Sequence, residues 1–370
     1  MTGLEQLIRV LQNEPLFQEA YGHLVIVKRR GPFVLLNYNQ DCQKRAAWDD
    51  VTSVCRGLIV DTRDWSVAAR GFDKFSNVGN HPTSTKFEDL PDLPFTAFEK
   101  VDGTFGMMYR DEHGEAWIAT RGSFDTPQAL RGTEMLRKLR LEALPEGYTP
   151  IFEIVYPKQH ETAGDVALSV ITYDYEGLVL LGLRHRVTGE ELPWNTVVEV
   201  AKAIGARLPK TYAFSSFEEA YAAAKALPAD QEGFVLLFAN GLRVKVKGHA
   251  YCARSRSTWG ISAPNILDTL VAGGKPAYLK LVADANEEAR IEADRIVAEI
   301  DAKARALCVE AESALFCGPF TEDRKTFASW LRYNVRKELH GAVFMLFDHK
   351  EPNWYKLVRD FDRAARPSSR

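Results

Sequence analysis

Between Leu24 and about Val246 the apolar residues come in short, β-branched or aromatic runs separated by Gly, Asp, Asn and Pro. Runs this short, bounded by turn formers, predict many strands with a few helices inserted. Examples are His23–Val27, Leu58–Val60, Gly106–Tyr109, Ile151–Val155, Leu178–Leu181 and Phe234–Phe238. Helical spacing is predicted at Gly3–Gln12, Pro127–Leu139, Thr196–Ile204 and Ser216–Ala226. After about Trp259 the pattern changes. Ala, Leu, Glu and Arg dominate, and Asn286–Glu312 has helical periodicity with charges on the opposite face. A strand-rich domain over 1–258 followed by a smaller all-helical domain over 259–370 is the expected organisation, with only the tail Ala364–Arg370 frayed.

A chain of 370 residues, 46% of them hydrophobic, can bury a sizeable core and has the length of two or three domains. Its formal charge of -3 carries no global signature of nucleic-acid binding, so any attraction to phosphate must come from local clusters. The five cysteines (Cys42, Cys55, Cys252, Cys308 and Cys317) are scattered, with no C-x-x-C pair to suggest zinc or a redox motif. They read as thiols in a reducing cytoplasm. The N-terminus lacks a long apolar stretch, and nowhere do about 18 apolar residues run together, so a soluble, untargeted, cytoplasmic protein with no membrane partner is expected.

The chemistry centres on Lys100-Val101-Asp102-Gly103-Thr104, set between two strand-like runs. Taken alone, a Lys-x-Asp-Gly is also what an ordinary turn between two strands looks like. Other pieces accompany it in order: Arg56-Gly57, Lys74-Phe75-Ser76-Asn77, Arg121-Gly122-Ser123, Phe152-Glu153-Ile154-Val155, Glu232-Gly233-Phe234-Val235 and Arg243-Val244-Lys245-Val246-Lys247. Each has a bland reading. A glutamate at a strand end is usually solvated, and K-x-K is usually the polar face of a half-buried strand. Their joint occurrence in one domain is what argues for a site.

A lysine that attacks the α-phosphorus of a nucleotide must be neutral, yet a free lysine has a pKa of about 10.4. Neighbouring cations lower it by like-charge repulsion, and Arg56, Lys74, Lys245 and Lys247 are the candidates; the same cations would then hold the triphosphate. Strand alternation projects Arg243, Lys245 and Lys247 to one face. Glu153 and Glu232 offer the oxygen ligands that Mg²⁺ takes. Asp102 and Gly103 fit a tight turn after the nucleophile, where glycine lets the backbone approach a ligand closely.

These residues resemble the covalent nucleotidyltransferases (DNA ligases, RNA ligases and mRNA capping enzymes), and most closely the RNA ligase 1 family of bacteriophages. The pieces that carry the resemblance are Cys55-Arg56-Gly57, Lys74-Phe75-Ser76-Asn77, Glu99-Lys100-Val101-Asp102-Gly103-Thr104 and Phe152-Glu153-Ile154-Val155, with Gly182-Leu183-Arg184, Thr188-Gly189-Glu190, Glu232-Gly233-Phe234-Val235 and Lys245-Val246-Lys247. Together they span roughly residues 20 to 255. Arg121 stands where the family often has Lys, and Thr104 replaces the commoner Ser.

The resemblance implies an α+β nucleotidyltransferase fold, with antiparallel sheets around the nucleotide and a helical domain after it. It implies ATP and Mg²⁺ or Mn²⁺ as cofactors, and an ATP-dependent RNA ligase that joins 5′-phosphate and 3′-hydroxyl ends through lysyl-AMP and adenylylated RNA. RNA repair, with nicked tRNA among the substrates, is the expected setting. Lys100 resembles the nucleophile, with Asp102, Gly103, Lys245 and Lys247 completing the catalytic set. Arg56, Lys74, Glu99, Lys100, Arg121, Glu153, Glu232, Lys245 and Lys247 are the implied ATP contacts, with Glu153 and Glu232 also the metal ligands. In the helical domain, Trp330, Arg332, Tyr333, Arg336 and Lys337 are placed on one helix and combine stacking rings with phosphate-seeking cations, although the same pattern describes an amphipathic helix with core rings and solvated charges. A DNA ligase or another nucleotidyltransferase using the same lysine chemistry, and a catalytically silent RNA-binding protein, are the competing readings.

Overall fold

The computed structural model describes residues 2–79, 84–157, 170–171, 173–259, 262–283, 287–321 and 323–364. The predicted helix start at Asn286 and the tail beyond Ala364 lie outside them. The chain divides into two compact units, Met1–Cys252 and Ala253–Arg370.

The first unit carries the strands. In chain order they are β1 (Val25–Arg30), β2 (Phe33–Tyr38), β3 (Arg56–Asp61), β4 (Val67–Arg70), β5 (Ser76–Asn77), β6 (Phe95–Glu99), β7 (Thr104–Arg110), β8 (Ala116–Thr120), β9 (Tyr148–Val155), β10 (Gly177–His185), β11 (Thr211–Tyr212), β12 (Gly233–Phe238) and β13 (Arg243–Lys247). They form three sheets, ordered β1-β2-β3-β4, β10-β9-β7-β8 and β11-β6-β12-β13-β5. All pairings are antiparallel except the short parallel one between β13 and β5. The first two sheets meet over Phe33, Leu35, Ile59, Met107, Tyr109 and Phe124, all buried.

Around the sheets lie α1 (Gly3–Leu11), α2 (Glu14–Ala20), α3 (Gln40–Lys44), α4 (Asp50–Val54), α5 (Pro127–Leu136), α6 (Trp194–Ile204) and α7 (Phe217–Ala226), and α8 (His249–Trp259) follows β13. The four helices predicted for this stretch are present. Thr2 and Glu5 close a capping box on α1, and Ser216 caps α7. Helix α5 stops three residues before the predicted Leu139, where the chain turns so that the Arg140 N–H reaches the Ile204 carbonyl. Helices α2, α3 and α4 were not legible in the pattern, because five to seven residues hold too little of a helical period to register.

The second unit is helical in its described residues: α9 (Ala263–Leu281), α10 (Glu287–Cys317), α11 (Arg324–Asn334), α12 (His340–Phe347) and α13 (Trp354–Ala364). Helix α9 is kinked at Gly274 (φ 61°), just before Pro276. The predicted helix holding Trp330, Arg332 and Tyr333 is α11, but Arg336 and Lys337 lie beyond its end. Val335 is extended (φ -131°, ψ 140°), and Lys337 falls in a short 3₁₀ turn. No helix among the described residues is long and apolar enough to cross a membrane.

Candidate active site

The chain passes from the third sheet to the second between β6 and β7, and Lys100 to Gly103 make that passage. The Lys100 N–H donates to the Gly233 carbonyl at 2.9 Å, which ties the loop to the start of β12. The register Gly233↔Lys247 brings Glu232, just before β12, beside both lysines. Lys100 Nζ donates to Glu232 Oε2 at 2.6 Å, and Lys247 Nζ reaches Glu232 Oε1 at 2.7 Å. The Glu232 side chain is 2% exposed, so its charge is buried and compensated by two ammonium groups. Gly233 takes φ 140°, and a Cβ there would lie 2.1 Å from the Val246 carbonyl oxygen, so only glycine fits the strand pairing that delivers Glu232.

This geometry corrects one expectation. Burial pulls the Lys100 pKa down, but the carboxylates of Glu232, Glu153 and Asp102 outweigh it, and the value lies above that of an ordinary lysine. The cations expected to depress Lys100 depress a different residue. Lys245 is held well below the lysine value, first by burial and then by Arg56, Lys100, Lys74 and Lys247.

Asp102 and Gly103 brace the loop. Asp102 Oδ2 accepts the Val170 and Ile171 N–H groups at 2.6 and 2.9 Å, and Oδ1 accepts the Tyr251 hydroxyl at 3.1 Å. The Asp102 N–H donates to Tyr173 Oη at 2.8 Å. Gly103 donates to Glu153 Oε1 at 3.1 Å, and a Cβ on Gly103 would stand 2.5 Å from the Ile154 carbonyl oxygen. The Glu153 carboxyl is pushed up to about 7, chiefly by burial, with Lys100 opposing and Glu232 and Asp102 adding to the rise.

Beyond the lysine pair lie cations seated on aromatic rings. Lys245 Nζ is 4.3 Å from the Phe75 ring centre, Lys74 Nζ is 4.9 Å from that of Trp48, and Lys247 Nζ is 5.2 Å from that of Tyr251. Arg121 lies 5.3 Å from the Tyr38 ring centre and donates to the Tyr38 hydroxyl. Burial lowers the Arg56 pKa to about 10, and Arg121 adds to that, which places the two guanidinium groups in one neighbourhood. The alternation read in β13 holds: Val244 and Val246 are buried, while Arg243, Lys245 and Lys247 share the other face.

The structure thus brings Arg56, Lys74, Lys100, Arg121, Glu153, Glu232, Lys245 and Lys247 into one region. Glu99, next to Lys100 in sequence, accepts the Lys210 N–H with its carboxylate. Trp330, Arg332, Tyr333, Arg336 and Lys337 belong to the second unit. There Trp330 stacks on the buried Phe327, Tyr333 is 83% exposed, and Arg336 pairs with Glu310 over the Phe361 ring. Sequence reasoning missed Tyr38, Trp48, Tyr173 and Tyr251. Only Tyr251, four residues after Lys247, had a neighbour to signal it, and its bond to Asp102 spans 149 positions.

Magnesium commonly binds through one or two carboxylates, with water and substrate phosphates completing the octahedron. Both oxygens of Glu232 and of Asp102 are already engaged, whereas Glu153 Oε2 accepts no hydrogen bond among the described residues. No group of three or more acidic, His or Cys side chains among these residues could hold a metal unaided. The donor set therefore fits an ion carried largely by phosphate oxygens, with Glu153 as its protein ligand; Glu232 could join only by releasing a lysine.

A family model described as RNA ligase matches residues 54–251, more than half of the chain. A provisionally named RNA ligase of Thermovibrio ammonificans is 32% identical over 161 residues, which is 42% of this chain and 40% of that protein. The RNA ligase of Rhodothermus phage RM378 is 26% identical over 202 residues, 43% of each chain. This chain spans about two fifths of the length of these curated relatives. Among solved structures, an archaeal ATP-dependent RNA ligase shares the fold, with a TM-score of 0.51 and 16% identity over 89% of this chain and 88% of that one. Arg56 to Lys247, the stretch that builds the cation cluster around Lys100, falls wholly within the family match, and the chain belongs to the RNA ligase family.

Proposed function

We propose that the protein is an ATP-dependent RNA ligase that carries AMP on Lys100. The observation that carries the reading is one half-buried lysine, paired with the buried Glu232, facing a cluster of cations largely without carboxylate partners. Such a cluster suits a polyphosphate, and the lysine beside it is the group that can form a covalent bond to phosphorus. Lys100 gives up a proton, for which Glu232 is the adjacent acceptor, and Nζ attacks the α-phosphorus of ATP. A P–N bond forms, the P–O bond to pyrophosphate breaks, and Arg56, Lys74 and Lys245 take the charge of the leaving group. An RNA 5′-phosphate then attacks the same phosphorus and releases Lys100. Finally a 3′-hydroxyl attacks the RNA phosphate, expels AMP and seals the strand.

A divalent cation held by Glu153 would neutralise phosphate charge and, by repulsion, make the Lys100 ammonium easier to deprotonate. The helical second unit is our candidate for choosing among RNAs, with broken tRNA as the expected repair substrate. Its described residues form helices, and the family match to RNA ligases supports RNA over DNA as the substrate.

The test is to incubate the protein with α-labelled ATP or α-labelled GTP and look for acid-stable label, then to compare sealing of RNA and DNA breaks. Label from ATP alone with RNA sealing supports the proposal. Label from GTP alone, or from neither nucleotide, rejects it, and equal sealing of DNA rejects the RNA assignment.

A further inference from the structure

Three cations crowd around a single ring. The Phe75 ring centre lies 4.3 Å from Lys245 Nζ, 5.3 Å from the Arg56 guanidinium carbon and 5.8 Å from that of Arg243, while Arg56 also lies 4.8 Å from the Phe105 ring and Arg243 4.1 Å from the Phe72 ring. Arg243 has an acidic partner, Glu191. Arg56 and Lys245 make no ion pair among the described residues; Arg56 donates instead to the Phe72 carbonyl at 3.3 Å. Like charges this close repel, and burial strengthens the repulsion. Pairing each with a carboxylate would hold them, but it would also cancel the charge that a polyphosphate needs. A ring face attracts a cation through its quadrupole and brings no opposing ion.

The placement of the ring is built into the fold. Strand β5, which begins at the next residue, pairs in parallel with β13 (Ser76↔Val244 and Asn77↔Lys245), so Phe75 is pinned beside the row of cations. Phe72 braces it edge-on, with ring centres 6.4 Å apart. Phe75 is half-buried, and its backbone carbonyl accepts from Lys74 Nζ at 3.2 Å, so a fourth cation is fixed by the same residue.

We propose that Phe75 is a positioning residue of the phosphate site, its ring holding Lys245 and, together with Phe105, Arg56, with the charges of both left available to a polyphosphate. This rests on the ATP-dependent reading above. It assigns the phenyl ring a role distinct from filling space.

The experiment measures binding of inorganic pyrophosphate to the full chain by calorimetry, which needs no chemistry at Lys100. Phe75→Leu should bind pyrophosphate about tenfold more weakly, the order expected when cation–π contacts to partly desolvated cations are lost, while Phe75→Tyr stays near wild type. Because Phe75→Leu also changes the packing around the ring, a second series places mono-, di- and trifluorophenylalanine at position 75, which drains the quadrupole at nearly constant shape. Affinity that falls stepwise with each fluorine supports the proposal. A flat series, a Phe75→Tyr variant as weak as Phe75→Leu, or a wild-type protein that binds no pyrophosphate overturns it. Fluorine-dependent binding in a protein that never forms lysyl-AMP would reject the ligase reading and leave the role of Phe75 standing.

Discussion

Lys100 Nζ and Glu232 Oε2 are 2.6 Å apart, and the other oxygen of the same carboxylate holds Lys247 at 2.7 Å. One buried acid thus spans the residue proposed to attack phosphorus and one of the residues proposed to hold it. With Glu232, Glu153 and Asp102 close by, the Lys100 ammonium is stabilised, and the proposed nucleophile is charged at rest. Activation then requires a change in that carboxylate environment, such as the arrival of nucleotide and metal.

Replacing the proposed nucleophile is the first check. Lys100→Ala should abolish covalent labelling by α-labelled ATP, since Lys100 is the side chain proposed to form the phosphoramidate. The same variant should still seal RNA that is already adenylylated at its 5′ end. Persistent AMP-protein would remove Lys100 from its role.

Glu232→Gln should lower the rate of lysyl-AMP formation by about 10²-fold, the scale for loss of a preorganised charge. It should also move the pH profile. Burial lowers the Lys100 pKa and Glu232 is the largest group raising it, so without that carboxylate Lys100 loses its proton at lower pH. The rising limb of the single-turnover rate should shift to the acid side, and an unmoved limb would show that Glu232 does not govern the lysine.

Lys245→Ala and Lys247→Ala should each slow adenylylation, at least one of them by about 10²-fold or more. Rate measurements across ATP concentrations decide it. Two variants labelling at the wild-type rate would mean that β13 does not face the phosphates.

Glu153 predicts a pH dependence of stability. Its carboxyl is raised from 4.5 to about 7, mainly by burial. Between these values the unfolded chain releases the proton and the folded protein keeps it, so stability contributed by this group falls as pH rises through that window. Thermal melts of the wild type and of Glu153→Gln from pH 4 to 8, an interval of about four units around that window, should show a flatter dependence in the variant. Parallel curves would contradict the burial of this acid.

A truncation after Ser257 keeps Tyr251 and every proposed ATP contact. It should still form AMP-lysine while losing discrimination between a structured tRNA-like break and a plain single strand. An unchanged ratio of the two sealing rates in the soluble truncation would show that the second unit does not select RNA, and Tyr333 and Arg332 would revert to ordinary surface residues.

Much of the first unit was legible because strand alternation and turn residues are local. The runs around Leu58, Met107, Phe152 and Phe234 are all strands, and the K-x-K spacing placed Lys245 and Lys247 on one face. The ends of α5 and α11 were not legible, because they depend on where the chain finds its next hydrogen bond or extends. Glu99 adjoins Lys100 in sequence, yet its carboxylate serves Lys210, a partner set by the pairing of β6 with β11.

The amino-acid order by itself determined which side chains can do the chemistry: a lysine before Val-Asp-Gly, one glutamate inside an apolar strand and one just before another, and cations at two-residue spacing. Tertiary structure alone decided their electrostatics. Pairing of β12 with β6 and β13 set Glu232 between Lys100 and Lys247, separated from Lys100 by 132 positions, and so raised the pKa that sequence reasoning had expected to fall. The same pairing buried Lys245 and left it among other cations, which lowered its pKa instead. Identity is a local property of the chain, whereas a pKa depends on the distance and sign of every nearby charge, and those distances exist only once the sheets have formed.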